Sequence, residues 1–229
     1  MSIDPLLSLL QFADGLFPTG GYAHSFGLEY YVQAGVVRDP AGVEEFVRAH
    51  LGGTAGPCDA VAVVSALALG ELEDLDGCLA LDETLDAMKP VKEFRDASRQ
   101  MGRQTLRVAA ALAGHPMLRA FSESVDSGRT PGHHSLAYGL AGSAFGWARE
   151  AAARAYLYST TALLVGAALR LLPIGQLDGQ RILWAAGPLI ARLAREAAGK
   201  GPADLWSFAP GIEIAGMRHA RLDARLFRT

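Results

Sequence analysis

Two Asp-Pro pairs, Asp4-Pro5 and Asp39-Pro40, frame the chain. An aspartate ahead of a proline reads as a helix start: the carboxylate accepts the first free N–H groups, and the proline sits where the first turn needs no donor. Gly35, Gly52, Gly70 and Gly114 stand where helices should stop. Between these marks alanine, leucine and arginine dominate, and the alternating β-branched runs that build strands are almost absent. The chain is therefore predicted to be all-α, a single-domain bundle of about ten helices over residues 1–229. The helices are expected at 4–13, 25–34, 40–51, 57–69, 72–88 with a break, 91–113, 132–154, 155–172, 177–198 and 211–223.

Half of the 229 residues are apolar, enough for one sizeable core. A net charge of −3 gives no general attraction for nucleic acid or for an anionic membrane surface, so neither is expected as a partner. Cys58 and Cys78 are not in a CxxC pair, which argues against a disulfide framework and a tetrahedral zinc site and fits a reduced, cytoplasmic location. The opening residues lack the basic region of a secretory signal. The uncharged stretch Ala155 to Leu169 is shorter than the roughly 20 apolar residues a bilayer requires and reads as a buried helix.

In the helix over 91–113, Val91, Phe94, Met101, Val108 and Leu112 fall on one face, with Ala97 and Thr105 in the same stripe. Arg95, Arg99, Arg103 and Arg107 recur every four residues on the other side as a cationic ridge, either a solvated face or a surface for an acidic partner. Gly139, Gly142 and Gly146 each cost a helix about 1 kcal/mol against alanine, which points to close approach by a neighbouring helix. The segment 126–132, "DSGRTPG", reads as a mobile loop, and the tail over 221–229 carries Leu226 and Phe227 between Arg225 and Arg228. Phe227 must be buried somewhere, either within the chain or against a partner on which the tail folds.

The stretch Leu16–Gly35, "LFPTGGYAHSFGLEYYVQAG", gathers Tyr22, His24, Ser25 and Glu29 at a loop-helix junction. It lacks the lysine of a phosphate-binding loop and the GxSxG of a nucleophile elbow. A small hydrolase or metal-dependent enzyme built on His24, Ser25 and Glu29 is the alternative reading from the residues alone. The six histidines form neither HxxxH nor HExxH, and His133 and His134, adjacent at a helix start, point to different faces.

Five separated blocks together resemble the urease accessory protein F family: "LFPTGGYAHSFGLEYYVQAG", "EFRDASRQMGRQTL", "AYLY", "LRLLPIGQLDGQ" and "MRHARLDARLFRT". The resemblance implies an all-α chaperone-like scaffold that is not an enzyme and has no cofactor of its own, nickel being handled by the complex it joins. Its expected partners are urease accessory protein D (also called H), the accessory GTPase G, apo-urease and a second copy of itself. By the same resemblance, the residues expected to serve partner binding are Tyr22, His24, Ser25, Glu29, Glu93, Arg95, Arg99, Tyr156, Gln176, Gln180, Arg225, Leu226, Phe227 and Arg228. Gln176 and Gln180 are placed near a GTPase-facing surface, and the tail is expected to order on protein D. Ala220 stands after His219 where the family pattern commonly has glutamate, which leaves the role of this histidine open.

Overall fold

A computed structural model describes residues 3–229, in which ten α-helices and no strand are found. They are α1 (Pro5–Ala13), α2 (Leu28–Gln33), α3 (Pro40–Glu71), α4 (Leu75–Ala87), α5 (Lys92–Ala113), α6 (Pro116–Asp126), α7 (His134–Phe145), α8 (Arg149–Leu171), α9 (Gln176–Ala198) and α10 (Pro210–His219). Short 3₁₀ turns lie at Gly21–Ala23 and Pro202–Asp204.

The two aspartate caps form as expected: Asp4 accepts the N–H groups of Leu6 and Leu7, and Asp39 that of Gly42. Gly35 and Gly114 adopt positive φ at helix ends. Gly52 departs from its expected role as a helix stop. The chain continues through it as a π-helical segment, Leu51–Ala60, so the elements expected at 40–51 and 57–69 are one 32-residue helix. Pro57 lies inside that segment and has no N–H to give, and the wider π turn accommodates its ring. The Phe208 N–H donates to the Gly53 carbonyl at 2.8 Å, and a Cβ at Gly53 would meet the Phe208 oxygen at 2.8 Å. Gly53 thus admits the 205–209 segment against α3.

By length and composition α3 could cross a bilayer, but most of its apolar window is buried inside the bundle, as suits a core helix. Its second half packs with α4, α5, α6 and α7 around Leu67, Leu85, Phe121 and Tyr138, and its first half with α2, α8, α9 and α10 around Leu28, Leu51, Leu157 and Ile190. Gly139 and Gly142 do allow the close approach read from them, since a Cβ at Gly139 would lie 2.3 Å from the Val63 carbonyl oxygen. Gly146 has another role: at φ 71° it ends α7, which places the break before Arg149 and not at the expected 154/155 boundary.

Helix α6 was not expected from the sequence. Pro116 opens it, and Met117, Phe121 and Val125 recur every four residues on its buried face. The α5 stripe faces inward at Ala97, Met101 and Thr105, but Leu112 in the last turn is exposed. The segment 126–132, expected as a mobile loop, is anchored at its end: the buried Asp82 carboxylate accepts the Thr130 hydroxyl and the Gly132 N–H, each at 2.6 Å.

Candidate functional site

The junction at residues 21–29 and the tail at 224–229 form one site, although about 200 positions separate their contacts in sequence. Phe26 and Gly27 take φ values of 50° and 88°, which turns the chain sharply into α2 and points the amides of Ser25 and Phe26 at the tail. Ser25 donates both its N–H, at 2.9 Å, and its hydroxyl, at 2.5 Å, to the main-chain oxygen of Thr229. The Phe26 N–H reaches Thr229 Oγ1 at 3.3 Å, and the Arg228 N–H donates to the Ala23 carbonyl at 2.8 Å. Side chains alternate along this extended segment: Phe227 and Thr229 point inward and are buried, while Leu226 and Arg228 point out.

Glu29 is the centre of the lock. Its Oε1 accepts the Leu226 N–H at 2.7 Å and its Oε2 the Phe227 N–H at 3.0 Å. Its Oε2 also lies 2.9 Å from Nε2 of the fully buried His219, whose Nδ1 lies 2.9 Å from Oε2 of Glu93. Arg225 closes the chain by donating to Glu93 Oε1 at 2.9 Å. Burial alone would raise the Glu29 pKa, but the donated hydrogen bonds of Leu226, His219 and Phe227, with the charge of His219, hold it below the usual carboxylate range. The carboxylates that engage His219 therefore come from α2 and α5, and Ala220 leaves nothing missing.

At the far end of the tail, the Arg170 guanidinium lies between two rings, 3.7 Å from the centre of Tyr22 and 4.3 Å from that of Phe227. It also donates to the Tyr22 carbonyl at 2.7 Å. Neither Arg170 nor His219 was picked out as a site residue from sequence. The Leu226-Phe227 pair at a chain end signalled that something must receive it, but no spacing rule links it to positions so remote.

The expected partner-facing residues divide by exposure. His24, Ser25, Glu29, Tyr156 and Phe227 are buried, so in this conformation they shape the surface from below. Phe227 finds its cover within the chain, under Arg170. Tyr22, Gln176, Gln180, Arg225, Leu226 and Arg228 are exposed. Glu93, Arg95 and Arg99 are half-buried and spent on internal contacts: Arg95 donates to the Lys89 carbonyl, and Arg99 donates twice to Asp86. The ridge is thus uniform in sequence but not in space, and only its second half, Arg103 and Arg107, is exposed.

The hydrolase arrangement does not form. Ser25 gives its hydroxyl proton to Thr229, not to His24, and Glu29 faces the tail amides. Burial, helped by the Arg228 charge, lowers the His24 pKa to about 4. His133 and His134 do diverge: the His133 ring bridges Ser98 at 3.0 Å and Asp86 at 2.9 Å, whereas His134 lies against Tyr156. Among the described residues, no three His, Cys, Asp or Glu side chains converge in a way that could hold a metal ion.

Two cavities lie behind the junction. One, of about 80 Å³, is lined by His50, Asp59, Lys89, His134, Tyr156 and Thr160 among others, with Lys89 Nζ paired to Asp59 at 2.8 Å. The other, of about 180 Å³, shares His134 and Thr160 and reaches Tyr22 and Arg170. Burial lowers the pKa of both His50 and His134 to about 4, the nearby Lys89 charge adding to it and Asp59 opposing it.

Comparison with known proteins agrees with the blocks read from the sequence. The UreF family matches residues 37–187. The urease accessory protein UreF of Bacillus sp. (strain TB-90) is 32% identical over 97% of this chain and 98% of its own length. That of Paenarthrobacter aurescens (strain TC1) is 34% identical over 99% of both chains, and UreF 2 of Brucella abortus (strain 2308) is 31% identical over 99% of this chain and 93% of its own. With a family match across most of its length and relatives above 30% identity from end to end, this chain belongs to the UreF family of urease accessory proteins.

Proposed function

We propose that the chain is a non-catalytic scaffold of a cytoplasmic nickel-delivery complex that matures apo-urease. It bridges accessory protein D/H and the GTPase G and modulates how GTP hydrolysis is coupled to nickel transfer. The observation that carries this reading is the docked tail: every polar group expected to do chemistry at the junction is spent on holding residues 224–229, and the outcome is a shaped surface of Tyr22, Leu226 and Arg228. A preordered surface of this kind suits binding, because the ordering cost is met before the partner arrives. The shared wall of the two cavities supports a reading in which the cargo ion passes through the protein's interior.

A homodimer is part of this proposal. A surface groove of about 910 Å³ runs between α1, α8 and α9, lined by Leu10, Tyr158, Gln180 and Trp184, and Trp184 is 86% exposed. An apolar groove around so exposed a tryptophan fits a self-complementary interface.

The decisive experiment is co-expression with proteins D and G, the full chain being compared with one lacking Arg225 to Thr229. Loss of co-purification with protein D, at unchanged helicity by circular dichroism, is the expected result. Undiminished capture of protein D by the shortened chain would overturn the role of the tail.

A further inference from the structure

The Glu29–His219–Glu93 triad has a proton count that the scaffold function does not require. Each ring nitrogen of His219 lies 2.9 Å from a carboxylate oxygen, and both contacts are hydrogen bonds only if each carries a proton. A neutral imidazole supplies one. The docked arrangement therefore holds one proton more than a neutral ring between two ionised carboxylates, whether that proton sits on the ring or on a carboxyl oxygen. The triad then carries one net negative charge, which Arg225 balances.

Every member of the triad also holds the tail or touches a group that does. Glu29 accepts the Leu226 and Phe227 amides, Glu93 accepts Arg225, and His219 joins the two carboxylates. Removing the extra proton would set a nitrogen lone pair against a carboxylate oxygen at 2.9 Å, so one carboxylate must withdraw. Withdrawal of Glu29 releases two tail amides, and withdrawal of Glu93 releases Arg225. Adding a second proton instead neutralises a carboxylate that now accepts charge-assisted bonds. The other charged or polar groups nearby are Gln33 of α2, which donates to Glu29 at 3.3 Å, and Arg218 of α10, which is turned to the Tyr30 hydroxyl. His24, Arg170 and Arg228 flank the far end of the tail and do not touch the triad.

We propose that tail docking is proton-linked: residues 224–229 close onto the bundle while the Glu29–His219–Glu93 triad shares its one extra proton, and they open when that proton is lost or a second is gained. The chain thus carries a latch whose closed state is favoured over a window of pH bounded on both sides.

The test uses the full-length chain with 4-fluorophenylalanine at Phe227, whose ¹⁹F resonance separates the ring held under Arg170 from a solvated one, followed from about pH 4.5 to about pH 9.5. The same label at Phe121, fully buried in the other core cluster, reports global unfolding. The expected result is a docked population that falls on both limbs by roughly tenfold in the closed-to-open ratio, the size of one lost charged hydrogen bond, while the Phe121 signal stays native. In Glu93→Gln the amide can donate to an unprotonated Nδ1, so the alkaline limb is expected to vanish and the acid limb to remain. A docked population that is flat with pH in the wild type, or an alkaline limb that persists in a folded Glu93→Gln, overturns the proposal. So does a Phe121 signal that changes together with that of Phe227. If Glu93→Gln does not fold, the two limbs in the wild-type protein still decide.

Discussion

Glu29 accepts the main-chain N–H of Phe227 at 3.0 Å, and through this bond the first turn of α2 and the last residues of the chain become one structural unit. Glu29→Ala leaves the part-buried Leu226 amide, the buried Phe227 amide and His219 without their acceptor. The expected loss is about 2–4 kcal/mol of unfolding free energy in urea titrations, with Glu29→Gln losing less because its amide oxygen still accepts. Equal stability of Glu29→Ala and wild type would show that the lock contributes nothing.

Close packing of α7 on α3 gives a second expectation. Gly139→Ala places a methyl group 2.3 Å from a backbone oxygen that cannot yield, and it should cost more than about 2 kcal/mol. Gly166→Ala, in α8 with nothing within 4 Å of the new methyl group, should stabilise the protein by about 0.5–1 kcal/mol. Melting temperatures that move the same way in both variants would contradict the packing described.

The Lys89–Asp59 pair has only 13% of each side chain exposed, so removing one charge strands the other. Lys89→Met alone should destabilise the protein by about 3–5 kcal/mol, and Lys89→Met with Asp59→Leu should restore most of that loss, as read from paired denaturation curves. A double variant no better than the single one would deny that the two charges depend on each other.

Stability should fall as the solution is acidified from near pH 6.5 toward pH 4. His24, His50 and His134 have pKa values lowered to about 4, so in that interval the unfolded chain binds protons that the folded chain does not. Glu29 and Asp86, whose folded values lie below the ordinary carboxylate range, add to the loss at the acid end as pH falls through those values. Asp86 is held low against the opposing effect of burial by hydrogen bonds from Arg99 and His133. Unfolding free energy measured at several pH values gives the proton uptake directly, and His50→Phe should lower it by about one proton. An unchanged slope would remove His50 from the account.

Trp184→Asp puts a charge in the middle of the α1, α8 and α9 groove and should leave the fold intact while shifting any dimer to monomer in size-exclusion chromatography. An elution volume unchanged from that of a dimeric wild type would place the self-association face elsewhere.

What could be read from the chain before folding is what depends on near neighbours. Asp4 and Asp39 cap because their carboxylates reach amides two or three residues away, and the α5 stripe from Ala97 to Thr105 follows from a period of 3.6 residues. The five family blocks carried identity for the same reason, as each is a run of adjacent residues. Gly52 and Gly146 depart from their expected roles through backbone conformation: a Cβ would meet nothing within 4 Å at either, but Gly52 stays helical as α3 runs on, while Gly146 takes φ 71° and ends α7. The docked tail, the His219 triad and the half-hidden arginine ridge were out of reach for a related reason. A hydrogen bond between residues 29 and 227, or between 99 and 86, exists only once packing has brought distant helices to within 3 Å, and no local pattern encodes that distance.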